Sequence, residues 1–508
     1  EKIADPDRKF DVHEDKAGNI SVRVPDSKGS KDRPVAVVQA HLDMVTEGGN
    51  DKAGTQCVID RRDGYLKSLD QKTTLGADNG AGVTSMLQLM ADIANGRIQD
   101  HVEFVFLFTV GEEAAEPTLQ EDDVTYDSRG GLYGARHLDA KEHFGHLGDR
   151  DVVYINTDSE DGIQFYTVDS AAGSNMLIQV NTRDQRDEIN RDLETIIVVD
   201  MKGFKSGHSA LAIAEGHGNA IAATGHALKW LVDNGIEVRP VEIEGGTQPN
   251  AIASESHCTF AIPTEQLTKA QYLLDQLKKG TSTEWRGVLA ATGHRESKDP
   301  DNHPQLEWEL ALEGRFTTKL NQEASQDLIT LLTELPTGPI TLKPTKKTPT
   351  EKDEATSSNN IGKIRTTKNG EVVMSLLPRA QEGSAQDKAR GSVPKGSPKL
   401  GTLAYVLREI RAALNQTHNS EIVYEAPWDS WKELGSPAAV QAWEEACSVF
   451  LGITPKSKPT QGGLEAALVL AALRDPAIGA NSVSGISVGP PVKEGHSRTE
   501  RMKWRLFV

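Results

Sequence analysis

The chain has 508 residues, enough for two large or about three ordinary domains, and 37% hydrophobic with 26% charged residues give real cores without a fibrous or low-complexity composition. The 56 Lys and Arg against 74 Asp and Glu leave a net charge of −18, which repels phosphate backbones and anionic lipid heads and argues against nucleic-acid and membrane partners. The start, EKIADPDRKF, has no signal-peptide core and no apolar run approaches the ~20 residues of a membrane span, so a cytoplasmic protein is expected, although the absent initiator Met leaves room for a leader already removed.

From Pro34 to about Gly173, short apolar runs alternate with helical stretches: PVAVVQA, GVTSMLQLMADIA, VEFVFLFTV, VVYIN. That is α/β layering. In the first helix Val83, Met86, Leu87 and Met90 recur at i, i+3, i+4, i+7, and Asp78 lies upstream where a capping side chain belongs. Between about 174 and 430 the texture becomes polar strands between amphipathic helices, with apolar faces at Leu267, Ala270, Leu274, Leu277 and at Leu328, Leu331, Leu332, Leu335, which predicts a separate α+β domain. TQPNAIASESHCTFAIP and TSSNNIGKIRTTKNGEVVMSLLP each set an Asn before a predicted strand pair, the outline of a duplication. KPTKKTPTEKDEATSS and AQDKARGSVPKGSPKLG read as solvated connectors. After about 430, Ser436-Pro437 opens a helix with Val440, Trp443, Cys447 and Phe450 on one face, followed by GGLEAALVLAAL and the strand-like NSVSGISVG. The expected organisation is an α/β domain of residues 1–173 and 431–508, interrupted by an inserted α+β domain of residues 174–430.

Four His or acidic signals directly follow apolar strand-like runs, where ligands bind beyond the carboxyl ends of strands in an open α/β sheet. In VVQAHLDMV, His41 and Asp43 are two apart and point the same way, so His41 can bind a metal while Asp43 fixes its ring. In LGADNGAG, Asp78 stands at a helix entrance between glycines that admit close backbone. FLFTVGEEAA offers Glu112 and Glu113, which as neighbours cannot both face one point from a regular strand; one suits a metal and the other a proton. VVYINTDSED places Asp158 just past a strand. Each alone is more often a helix cap, a solvated turn or a structural hydrogen bond, but four within one α/β unit reverse that balance. Cys57, Cys258 and Cys447 have no CxxC spacing, so a metal has to sit on His and carboxylates.

QAHLDMV, TTLGADNG, GEEA, INTDSE, KGFKSGHS, GNA, PNAI and GGLE together resemble the co-catalytic zinc metallopeptidases that include aminoacylases and carboxypeptidases, and among them the aminoacyl-histidine or cytosolic non-specific dipeptidases. The likeness runs from about Asp11 to Glu500. It implies a mixed-sheet zinc-peptidase catalytic domain of α/β class with a large inserted α+β lid and dimerisation domain, and hydrolysis of dipeptides, Xaa-His or broader. It also implies two zinc ions per chain, replaceable by cobalt or manganese, in a cytoplasmic homodimer acting on small peptides. By the resemblance, His41 and Glu113 are terminal ligands of separate ions, Asp78 bridges both, and Asp158 and His496 complete the two shells. Asp43 orients His41, and Glu112 is the general base and later the acid. Two ions roughly 3.5–4 Å apart can hold a shared hydroxide and polarise a peptide carbonyl. His208 and Asn250 are expected to hold the substrate carbonyl and Arg379 its carboxylate, for which a bidentate guanidinium is suited.

The chain departs from the family at the lid: Ala212 and Ala214 stand where a Glu and a second His are usual, Pro249 replaces the usual Arg, and Arg498 and Thr499 replace Pro and Asp. It also begins close to its first strand, without the family's opening helix. Substrate preference is therefore less determined than reaction type, and an N-acyl-amino-acid deacylase, a tripeptidase or a silent homologue share the same expected metal set. A serine hydrolase is suggested by Gly485-Ile486-Ser487-Val488-Gly489, but Pro490-Pro491 blocks the helix that such an elbow needs.

Overall fold

The computed structural model describes residues 10–45, 56–69, 73–113, 131–210, 212–280, 282–295, 302–311, 315–343, 354–381, 402–433, 437–460, 462–493, 495 and 500–503. The described chain divides into two units, at 171/172 and at 428/429, beside the expected 173/174 and 430/431.

The first unit is built on a six-stranded sheet in the order Asp11–Glu14, Ile20–Val24, Glu103–Thr109, Val35–His41, Asp151–Asn156, Ser482–Ser487. The last four run parallel and the first two antiparallel. Val35–His41 and Glu103–Thr109 are buried along nearly their whole length, as strands covered on both faces must be. One face carries Met86, Met90 and Ile93 of the helix Ala77–Ala94; the other carries Val469, Leu470 and Leu473 of the helix Glu465–Leu473. From Val35–His41 the chain moves to a neighbour on one side, then to Asp151–Asn156 on the other, so the carboxyl end of the central strand lies at a topological switch point.

The second unit holds an eleven-stranded sheet whose strand pairs are antiparallel. Its core is filled from the helices Ala220–Asp233, Leu267–Lys278, Thr283–Ala291, Gln322–Glu334 and Leu403–Leu414. Gly225 allows two of these to close up: a Cβ there would lie 2.4 Å from Leu332 Cβ. The α+β texture is as expected, and Leu328, Leu331, Leu332 and Leu335 are all buried.

Several expectations need correction. Leu87 is 53% exposed, because the apolar stripe facing the sheet runs through Met86, Met90 and Ile93. Phe450 is 82% exposed, because the helix Ala438–Ala446 passes into a π-turn at Cys447–Leu451 and the wider turn rotates Phe450 away from Val440 and Cys447. The N-cap of that helix is Pro437, and Ser436 lies outside the described residues. Part of the first predicted connector is a strand, Glu354–Asn359; its other residues from 344 on, and the whole of the second connector, lie outside the described residues. The duplication fails: Asn250 is followed by the single strand Ser256–Pro263 and then a helix, whereas Asn360 precedes the pair Ile361–Thr366 and Val372–Leu376. Ser487, the last residue of its strand, is fully buried with its hydroxyl donating to Asn156 Oδ1, so it is no nucleophile elbow.

Candidate metal centre

His41 is the last residue of the central strand and is 1% exposed. Its Nε2 lies 3.1 Å from Asp78 Oδ1 and 3.3 Å from Asp158 Oδ1. Its Nδ1 lies 2.9 Å from the backbone carbonyl of Asp43 and 3.8 Å from that residue's carboxylate. Asp43 therefore fixes the ring through its main chain. Its carboxylate instead accepts from the amides of Glu112, at 3.1 Å, and Glu113, at 2.8 Å, and so shapes the turn that presents both glutamates.

Those glutamates lie beyond the strand end at Thr109, so the strict alternation of a strand does not apply to them. Both offer an oxygen to the same place: potential ligand atoms of His41, Glu112 and Glu113 lie within 4.8 Å of one another. A second group, His41, Asp78 and Asp158, meets the same limit. The structure thus brings together His41, Asp78, Glu112, Glu113 and Asp158, with Asp43 behind them. His496 lies outside the described residues.

Asp78 is not the cap of its helix. Gly76 occupies the N-cap at φ 70°, and Asp78 and Asn79 have non-helical backbone angles in the first turn. Asn79 donates to Asp158 Oδ1 at 3.2 Å and accepts from the Thr157 hydroxyl at 3.3 Å. A Cβ on Gly82 would come within 2.0 Å of Thr157 Oγ1, so this glycine lets the helix approach the strand end that carries Asp158. Of the glycines of LGADNGAG, Gly82 serves close approach and Gly76 supplies the left-handed turn, while Gly80 has no neighbour within 4 Å of where a Cβ would stand.

The electrostatics are those of crowded, desolvated carboxylates. Burial and then the nearby Asp78 push the Asp158 carboxyl well above its ordinary range, and burial with Glu113 does the same to Glu112. Burial works against charge on His41 too, but Asp158 and Asp78 outweigh it and hold the imidazole well above its usual value. One imidazole among four carboxylates leaves negative charge that a divalent cation would balance, and nitrogen with carboxylate oxygen is a donor set that suits zinc.

Under the site lies a polar layer that sequence reading missed. Gln39, two residues before His41, donates to Thr109 Oγ1 and Glu465 Oε2 and accepts from Tyr154 and Asn156. Glu465 also accepts from Thr109, and burial pushes its carboxyl up to about 7. The signals for this layer were a glutamine inside an otherwise apolar strand and the glutamate that closes GGLE, neither of which was assigned a role.

The remaining predicted residues belong to the second unit and are near one another. His208 bridges Ala251, the Ser209 amide donates to the Asn250 carbonyl at 2.8 Å, and Arg379 Nη1 donates to Ser209 Oγ at 3.1 Å. Asn360 pins the turn by donating to the carbonyls of Pro249 and Ala251. Ala212 and Ala214 pack with Ile213, Ile252 and Ala355, so the altered positions serve as apolar contacts. Asn219 of the GNA motif caps the helix Ala220–Asp233.

A family model described as Peptidase family M28 matches residues 19–216, and one described as Peptidase dimerisation domain matches residues 199–286. Cytosol non-specific dipeptidase of Escherichia coli (strain K12) is 26% identical over 501 residues, which cover 97% of this chain and 86% of that protein. The crystal structure of aminoacylhistidine dipeptidase from Vibrio alginolyticus matches with a TM-score of 0.56 at 23% identity, covering 97% of this chain and 86% of that one. The resemblance read from the motifs is therefore borne out: along almost its whole length the chain is similar in sequence, and in its mixed α/β fold, to dipeptidases, and it matches a peptidase model and a dimerisation-domain model.

Proposed function

We propose that the chain is a metal-dependent dipeptidase that hydrolyses small peptides, Xaa-His dipeptides or a broader set, at a two-zinc centre. The observation that carries this reading is the convergence of two metal-donating groups on His41 at the carboxyl end of the central strand. Similarity to dipeptidases over 97% of the chain supports the reaction class. In this reading His41 and Glu113 would be terminal ligands of separate ions, Asp78 would be shared between them, and Asp158 and His496 would complete the two sets. Cobalt or manganese can replace zinc on such donors.

Bound there, the ions would acidify a water and polarise the peptide carbonyl. Glu112 would accept a proton from the attacking water and return it to the leaving amine. Asp43 keeps Glu112 and Glu113 in place through their amides. In the second unit His208 and Asn250 are assigned to the substrate carbonyl, and Arg379 to the free carboxylate at the peptide's C-terminus. Homodimerisation through that unit and a cytoplasmic location belong to the same reading, supported by the dimerisation-domain match and by the cytosolic relative.

The test is elemental analysis of the purified protein paired with hydrolysis of a dipeptide panel before and after chelation and zinc restoration. About two zinc ions per chain, with cleavage lost on chelation and regained with zinc, is the expected result. Two ions without dipeptide cleavage would move the assignment to N-acyl amino acids or tripeptides. Absence of metal would overturn the reading of the centre.

A further inference from the structure

The loop that carries Asp78 starts a helix without a local cap. Gly76 has no side chain to accept from the first turn, and the backbone at Asp78 (φ −87°, ψ 109°) and Asn79 (φ −110°, ψ 29°) leaves the helical region. The local carboxylate, that of Asp78 itself, is turned to His41 at 3.1 Å. A helix start leaves up to four amides to be satisfied from elsewhere. Here the amides from Leu75 to Asp78, on the approach to the helix and at its start, meet a residue more than 400 positions away. Glu500 Oε2 accepts from the amides of Leu75, at 3.1 Å, and Gly76, at 3.2 Å, while Oε1 accepts from Ala77, at 2.9 Å, and from Asp78, at 3.5 Å.

Glu500 is only 3% exposed, so this is a built contact and no surface encounter. Its backbone is fixed by the strand that follows: Arg501–Lys503 pairs antiparallel with the strand Tyr65–Ser68. Met502, two residues on, packs with Leu75, Ala77 and Ala81 of the same loop and helix start. An ionised carboxylate facing consecutive amides at a helix N-terminus makes charge-assisted hydrogen bonds and meets the positive end of the helix dipole. A glutamine in its place would turn an NH₂ group toward amide donors and could satisfy only part of them.

We propose that Glu500 is a positioning residue for the metal centre: by pinning the backbone from Leu75 to Asp78 it takes over the capping role and leaves the Asp78 carboxylate preset toward the ions. This rests on the metallopeptidase reading above and adds a residue to it. Groups that orient metal ligands without touching the ion change metal affinity when removed, which gives a readout independent of turnover.

The experiment compares the full-length wild type with Glu500→Gln and Met502→Ala, measuring zinc affinity by chelator competition, thermal unfolding of the metal-free proteins, and kcat and KM on a dipeptide. Met502→Ala loses apolar packing on the same loop but keeps the carboxylate, and so reports what destabilisation alone does. For Glu500→Gln, zinc affinity at one or both sites is expected to fall roughly 10–100-fold, with kcat lowered and KM little changed. Met502→Ala is expected to lower the unfolding temperature while keeping wild-type zinc affinity. Zinc affinity and kcat of Glu500→Gln within about twofold of wild type, below the usual effect of such partners, would overturn the proposal. So would an equal loss of zinc affinity in Met502→Ala, which would make Glu500 merely a structural residue. If Glu500→Gln does not fold, Glu500→Asp, which withdraws the charge by one methylene, is judged by the same outcomes. A wild type that binds no zinc overturns the metallopeptidase reading itself, a result distinct from a zinc-binding wild type with an indifferent Glu500→Gln.

Discussion

Glu112 sits half-buried beside Glu113 and within reach of His41, and burial with that neighbour pushes its carboxyl well above its usual range. A carboxyl held high is suited to exchanging a proton near neutral pH, provided a cation at the site restores its ionised form. Glu112→Gln keeps the size and the turn pinned by Asp43 but cannot accept a proton. It is expected to bind zinc as the wild type does while kcat falls by about 10²–10⁴-fold; turnover near the wild-type level would remove Glu112 as the base. Arg379 asks a different question, because its Nη1 already donates to Ser209. If the guanidinium holds the substrate's carboxylate, Arg379→Ala raises KM for free-carboxylate dipeptides roughly 10–100-fold, the worth of a charge-assisted hydrogen bond, and leaves C-terminally amidated peptides alone. Equal losses on both would make its role the support of Ser209 and the Asn250 turn. His41, Glu113 and Asp158 were legible from sequence because a strand end fixes where its next residues go, whereas Asp78 stands in the first turn of a helix and was marked by the glycines around it. Gln39, Asn79, Glu465 and Glu500 were not, since each acts on a partner that only the folded sheet brings near.

Helices and strands show the same division between what local pattern carries and what tertiary contact decides. The four parallel strands and the helices Ala77–Ala94 and Glu465–Leu473 on their two faces were readable, because apolar runs bounded by turn residues have one consistent placement in an α/β layer. Leu87 and Phe450 were misread because a helical stripe is wider than its buried part, and because a π-turn has no sequence signature strong enough to shift a predicted face. Glu103, at the amino end of its strand and opposite the metal centre, is a further example. It is 4% exposed and accepts from Arg23 at 2.9 Å and from Arg150 at 3.0 Å, with His146 Nε2 at 3.1 Å. Burial raises its pKa, but His146, Arg150 and Arg23 together outweigh that and hold the carboxyl far below the carboxylate range. A folded-state pKa below the unfolded one gives stability that is complete above the unfolded value, about 4.3, and is lost as pH falls toward the folded value. Glu103→Gln is therefore expected to cost about 3 kcal/mol at pH 7, the low end for breaking a buried pair because Arg23 is partly solvated. The gap from wild type should narrow below about pH 4 as the wild type loses the same contribution. Chemical denaturation at a series of pH values checks this, and a gap that does not change with pH would contradict the assignment.

At the scale of the whole molecule, the first unit is discontinuous in sequence and the second is one insertion. The strand Ser482–Ser487 completes the first unit's sheet beside Asp151–Asn156, the helix Glu465–Leu473 fills one of its cores, and Glu500 holds the Asp78 loop. Residues 10–171 thus lack a sheet edge, a covering helix and a pinned ligand loop without the last 80 residues. The core of the second unit, by contrast, draws its buried residues from Ala172 to Leu414. The chain leaves and re-enters the first unit side by side: Ser170 pairs with Trp431 and Asp169 with Lys432, antiparallel. Replacing residues 171–430 by Asn-Gly would close that pair with a two-residue hairpin turn. The shortened chain is expected to unfold cooperatively and to bind about two zinc ions, since all the proposed ligands remain, while dipeptide turnover falls with the loss of His208, Asn250 and Arg379. The separate fragment 172–428 is expected to fold and to bind no zinc, and truncation after residue 428 to leave the first unit unfolded. Circular dichroism melts with zinc titration of the three proteins decide the matter. A shortened chain that is unfolded, or that binds no zinc where the full chain does, would mean that the insertion is needed to build the metal centre as well as to recognise its substrate.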